Sequence, residues 1–154
     1  MTGAGSLGAL NQILKAFAGV DADGVQDEVI YAWRSFEAYP ILVGLLGAKS
    51  VQIPNLPNGA HDLNARAQAV TDRTRVILVC TPNNPTGPAV TEAQMREFLT
   101  KIPENVVVVI DEAYYEFCTA STVPAGQNAP VNGLNLLNDH PNVIVLRTFS
   151  KAQG

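Results

Sequence analysis

The run Val106-Val107-Val108-Val109-Ile110 has no polar residue alternating through it. A strand with one wet face alternates, so an unbroken apolar run of this length belongs to a strand covered on both faces of a parallel sheet. Four further short runs, at residues 29–33, 51–53, 76–80 and 143–146, read as strands. They are interleaved with stretches of helical period at 6–17, 37–46, 63–70 and 91–101. The layout is α/β: a three-layer, mainly parallel sheet with flanking helices. Thr91 followed three residues later by Gln94 predicts a capping-box start for the last helix. Its connection between the 76–80 and 106–110 strands is long enough for a parallel crossover. Residues 119–132, rich in Pro, Gly, Asn, Ser and Thr, are expected to form an exposed loop.

The apolar runs end in chemistry. Residues 76–80 lead into Thr81-Pro82-Asn83-Asn84-Pro85-Thr86-Gly87, residues 106–110 into Asp111-Glu112-Ala113-Tyr114, and residues 143–146 into Arg147-Thr148-Phe149-Ser150-Lys151. Ligands of open parallel sheets bind beyond the carboxyl ends of the strands, so these segments converge on one crevice. An amide, a carboxylate, a phenol and an amine meet there. An amine that forms a Schiff base with an aldehyde and a carboxylate that pairs with a pyridinium nitrogen are the two groups that pyridoxal phosphate (PLP) chemistry asks of a protein. Asp111 ends a buried strand, where a carboxylate needs a cationic partner to offset desolvation. Of the four lysines, Lys15, Lys49, Lys101 and Lys151, only the last follows a buried strand.

Other classes are disfavoured. The chain has 154 residues, a formal charge of −4 and no basic cluster, so nucleic acid is not an expected partner. No apolar run approaches the ~20 residues needed to cross a bilayer, and the first residues lack a signal-peptide pattern, so membrane association is not expected and a cytoplasmic location is. Cys80 and Cys118 have no metal spacing and read as free thiols, and no metal site is expected. His61 and His140, among Asn, Asp and Pro, read as surface-loop residues. Gly3-Ala4-Gly5-Ser6-Leu7-Gly8 spells the dinucleotide fingerprint, but no strand precedes it as that reading requires. The same small residues let the backbone N–H groups of Gly5 and Ser6 reach a phosphate at a helix start.

Asn83-Asn84-Pro85-Thr86-Gly87, Asp111-Glu112-Ala113-Tyr114 and Thr148-Phe149-Ser150-Lys151-Ala152 together resemble, in order and spacing, the signature segments of fold-type I PLP-dependent aminotransferases of the histidinol-phosphate and aromatic amino acid branch. The resemblance implies that Lys151 carries the cofactor and shuttles the substrate proton, and that Asp111 pairs with the ring nitrogen. It implies that Asn84 and Tyr114 donate to the ring's phenolic oxygen, and that Gly5, Ser6, Thr148 and Ser150 contact the phosphate. Trp33-Arg34-Ser35-Phe36-Glu37-Ala38-Tyr39-Pro40 aligns with the segment whose aromatic stacks on the cofactor, with Phe36 the better fit and Tyr39 second. Asn84–Pro85 is the expected cis bond.

Family members are more than twice this length, so residues 1–154 are expected to be a partial PLP-binding large domain, without the N-terminal segment and the C-terminal small domain. The missing parts include a phosphate-binding arginine beyond the lysine and a carboxylate-binding arginine, roles that Arg147 cannot be assumed to fill, and the isolated chain is expected to be catalytically poor. The implied activity of the parent is amino-group exchange between an aromatic amino acid and 2-oxoglutarate, with a small-molecule amino acid and 2-oxo acid as partners and a homodimer as the assembly. Histidinol-phosphate aminotransferase is the alternative, followed by an inactive remnant or a PLP lyase or decarboxylase.

Overall fold

The computed structural model describes residues 1–118 and 129–154. Five strands, β1 (Glu28–Trp33), β2 (Lys49–Pro54), β3 (Thr74–Cys80), β4 (Val107–Asp111) and β5 (Val143–Leu146), form one sheet in the order β2-β1-β3-β4-β5. Every neighbouring pair is parallel. The helices are α1 (Gly5–Phe17), α2 (Ala38–Leu45), α3 (Leu63–Gln68) and α4 (Glu92–Leu99).

Side chains alternate across a strand, and the two faces of the sheet have separate cores. Val29, Tyr31, Val76, Leu78, Cys80 and Val109 pack against α1 and α2. Ile30, Ile77, Val79, Val108 and Ile110 pack on the other face with Met95, Phe98 and Leu99 of α4, and with Leu63 and Ala67 of α3 at the margin. The unbroken valine run is therefore buried on both sides, as a central strand of a three-layer α/β fold demands.

The capping box forms: Thr91 accepts from Gln94 N–H, and the Gln94 side chain accepts from Thr91 N–H. The third helix is six residues long and shorter than its sequence period suggests. β2 is longer, because Ser50 and Gln52 lie in register with Val29 and Tyr31 at the sheet edge, where apolar content is not required. Of the loop expected over 119–132, residues 119–128 lie outside the described residues. Val131 is buried rather than exposed, with its N–H donating to Val90. No helix among the described residues is long and apolar enough to cross a membrane.

The histidine expectation needs correction. His61 is buried at 8% exposure, not on a surface loop. Its Nε2 bonds the Cys80 carbonyl at 2.6 Å, and its Nδ1 meets Nη2 of Arg66. The cause is Arg66, which α3 turns wholly into the protein, with Nη1 donating to the Leu78 carbonyl at 3.1 Å. A buried guanidinium needs acceptors, and His61 supplies one. The polar neighbour that made the segment look exposed, Asp62, caps α3 through a bond from Ala65 N–H at 2.8 Å. His140 is half-buried in the connection before β5.

Candidate active site

Chain direction across the sheet reverses between β1 and β3, the switch point at which open α/β sheets bind ligands. A cavity of about 260 Å³ lies there, lined by residues that include Gly5, Ser6, Phe36, Asn84, Asp111, Tyr114, Ser150 and Lys151. Five segments far apart in sequence thus meet at the carboxyl ends of the strands and the start of α1.

Each wall has a local cause. α1 opens at Gly5, whose φ of +64° an L side chain rarely adopts. Ala4 gives the helix no side-chain cap, so the N–H groups of Gly5, Ser6 and Leu7 are left without intrahelical acceptors. That end of a 13-residue helix is a ready anion site facing the cavity. After β1, the turn that delivers Phe36 is pinned by its backbone. The Arg34 carbonyl accepts from Asn83 Nδ2 at 2.9 Å and from Asn55 Nδ2 at 2.6 Å, and Ser35 donates to Asn83 Oδ1 at 2.7 Å. The adjacent asparagines therefore differ: Asn83 is buried and committed to the scaffold, and Asn84 lines the cavity. The Trp33–Arg34, Thr81–Pro82 and Asn84–Pro85 bonds are cis, the last as the motif predicts.

Asp111 sits opposite Cys80 in the β3–β4 register. Burial pushes its carboxyl up from the usual carboxylate range. A bond from the Tyr39 phenol, a bond from Ala113 N–H and the charge of Lys151 pull it back down. Tyr39 Oη lies 2.7 Å from Oδ2, and Ala113 N 3.2 Å from Oδ1. The offset expected from a cation thus comes first from a phenol. Burial and the neighbouring Asp111 raise the Cys80 thiol to about 12, so this cavity-lining sulfur stays protonated. Lys151 is exposed, with Nζ 5.2 Å from the centre of the Tyr114 ring.

The two aromatics of the 33–40 segment separate. Phe36 faces the cavity, whereas Tyr39 is fully buried beside it, its ring edge-on to Phe36 at 5.6 Å. Thr148 lines an adjoining depression that shares Gly5 and Ser150 with the cavity, and its Oγ1 bonds Ser150 Oγ at 2.7 Å. Arg147 is occupied elsewhere, donating to Glu112 at 2.8 Å and to Asn132 at 2.9 Å and lying over the Tyr115 ring. Sequence reasoning missed Tyr39 as the partner of Asp111. The available signal was its spacing of three from Phe36, which puts both on one side of a helical turn. Among the described residues no group of three His, Cys, Asp or Glu side chains is placed to hold a metal ion.

An amine, a buried carboxylate, an aromatic wall and an uncapped helix start surround one cavity, a set of groups suited to a small, anionic, carbonyl-bearing ligand. Residues 3–154 match the family model for aminotransferases of class I and II. The chain belongs to that family. It is 52% identical over 153 residues to an aromatic amino acid aminotransferase of Streptomyces coelicolor, a match covering 99% of this chain and 39% of that protein. It is 55% identical over 152 residues to one of Thermobifida fusca, again covering 99% of this chain and 39% of the relative. Among solved structures, histidinol-phosphate aminotransferase from Sinorhizobium meliloti in complex with pyridoxal-5'-phosphate superposes with a TM-score of 0.80 at 29% identity, covering 99% of this chain and 38% of that one. The chain thus spans about 39% of the length of the curated relatives it matches.

Proposed function

We propose that residues 1–154 are the cofactor-cradling part of the large domain of a PLP-dependent aminotransferase that moves an amino group between an aromatic amino acid and 2-oxoglutarate. The observation that carries the reading is that Lys151, Asp111, Phe36, Asn84, Tyr114 and the start of α1 surround one cavity. The residues fit the group: unpaired N–H donors at one place suit its phosphate, and a buried carboxylate suits its ring nitrogen.

When bound, PLP supplies an electron-accepting ring that stabilises negative charge at the substrate's α-carbon. Lys151 Nζ would hold the cofactor, and the same amine would move the substrate's α-proton. Asp111 would keep a proton on the ring nitrogen. Asn84 and Tyr114 would donate to the phenolic oxygen, Gly5, Ser6, Ser150 and Thr148 would hold the phosphate, and Phe36 would cover the ring and keep water off its face.

The names of the curated relatives at 52% and 55% identity support an aromatic amino acid as donor. The S. meliloti structure supports histidinol phosphate as the second reading. A homodimer in the cytoplasm, with a small amino acid and a 2-oxo acid as its partners, completes the proposal. Borohydride reduction of the protein with added PLP should leave a pyridoxyl group on the peptide containing Lys151, and Lys151→Ala should give none. Labelling spread over other lysines, undiminished in Lys151→Ala, would sink the assignment. In the full-length parent, glutamate formed from 2-oxoglutarate should then follow phenylalanine or tyrosine at least 10-fold better than histidinol phosphate; the reverse preference selects the second reading.

A further inference from the structure

Tyr39 lies outside the cavity, yet it touches the carboxylate at the cavity's base. The side chain is fully buried, its ring edge-on to Phe36 on one side and to Tyr31 on the other, with centroids 5.6 and 5.7 Å apart. In that packing the phenol reaches Oδ2 of Asp111 at 2.7 Å. With Ala113 N–H on Oδ1, each carboxylate oxygen has one donor from the protein, and Asp111 still lines the cavity. The phenol keeps its proton to donate: burial and the charge of Asp111 raise Tyr39 well above the ordinary range for tyrosine.

We infer that Tyr39 is a positioning residue that keeps Asp111 in its charged form, so that the proton shared between Asp111 and the cofactor's ring nitrogen resides on the nitrogen. This rests on the PLP reading above. A hydrogen bond donated to a carboxylate stabilises the anion over the acid, and here it works against the desolvation that favours the acid. Remove the phenol and the carboxylate becomes the stronger base of the pair. The proton then moves from nitrogen to Asp111, and the ring becomes a poorer electron sink. Because Phe36 and Tyr39 share one turn, the residue covering the ring and the residue setting its protonation move as one unit.

The test is the ¹⁵N chemical shift of PLP labelled at its ring nitrogen, bound to the protein, in wild type and Tyr39→Phe at one pH. The expected result is a wild-type signal in the protonated range and a Tyr39→Phe signal displaced towards the unprotonated one. A role confined to packing would lower the melting temperature and leave the nitrogen signal where it was, and that result overturns the inference. Should Tyr39→Phe not fold, 4-fluorophenylalanine at position 39 fills the space of the hydroxyl while having no O–H to donate. The nitrogen signal must then move towards the unprotonated range, and a signal left in place overturns the proposal. Failure of the wild type to capture PLP on Lys151 overturns both this inference and the reading beneath it; capture with an unmoved nitrogen signal overturns only the role of Tyr39.

Discussion

His61 and Arg66 show how a single buried side chain sets a pH limit on the whole fold. Burial, followed by the charge of Arg66, lowers His61 from 6.5 to about 3, against a raising bond to the Cys80 carbonyl. Above pH 6.5 folded and unfolded chains both carry it neutral. As pH falls through 6.5 the unfolded chain takes up a proton that the folded one refuses until about pH 3, so stability falls across that window. At ~1.4 kcal/mol per unit, the loss over the whole window is on the order of 5 kcal/mol. Melting temperature measured from pH 7 down to pH 3.5 should therefore drop less steeply in His61→Gln, which keeps an acceptor for Arg66 and a donor for Cys80, than in wild type. Neither the burial of His61 nor its partner was legible from sequence, because a histidine beside Asp62 looks like loop until the helix carrying Arg66 is rotated inward. The convergence of Lys151, Asp111 and Asn84 on one cavity was legible because Asp111 ends a strand whose burial is written in its apolar run and the other two lie a few residues beyond such strands. Tyr39 was not, since an aromatic one turn beyond Phe36 can lie on a ligand or under it, and only the packing of Tyr31 decides.

At the scale of elements, β4 and β5 are joined by more than their ladder. Glu112, just past β4, is fully buried. It accepts from Gly133 N–H at 2.6 Å and from Arg147 Nε at 2.8 Å, which ties the 3-10 turn Gly133–Leu136 and the end of β5 to one carboxylate. A Cβ at Gly133 would come within 2.7 Å of Val145, so the close approach depends on glycine. Burial raises the Glu112 carboxyl, and the Gly133 and Arg147 bonds oppose the rise. Glu112→Ala takes the counter-charge from the half-buried Arg147 and the acceptor from Gly133 N–H and should cost about 3 kcal/mol, seen as a lower urea midpoint, with Glu112→Gln intermediate. Strand positions were legible to within two residues at each end, with β2 alone extending beyond its apolar run in both directions. There the defining interaction is backbone pairing with β1, which apolar content does not record.

For the whole molecule, a ligand in the cavity bridges residues from Gly5 to Lys151 and binds only the folded chain. PLP at a hundredfold excess over its dissociation constant should stabilise by about 2.7 kcal/mol, raising the melting temperature by roughly 5–10 °C. Lys151→Ala should retain only a small part of that rise. The parallel topology has a temporal consequence as well. Gly5 and Ser150, far apart in sequence, line the same cavity, and a Cβ on the glycine would lie 3.7 Å from the serine hydroxyl, in ordinary contact. In a nascent chain α1 is made well before β5 and the turn after it, so this wall of the cavity takes shape only when the segment around Ser150 docks. Filling of the cavity would therefore report that late contact.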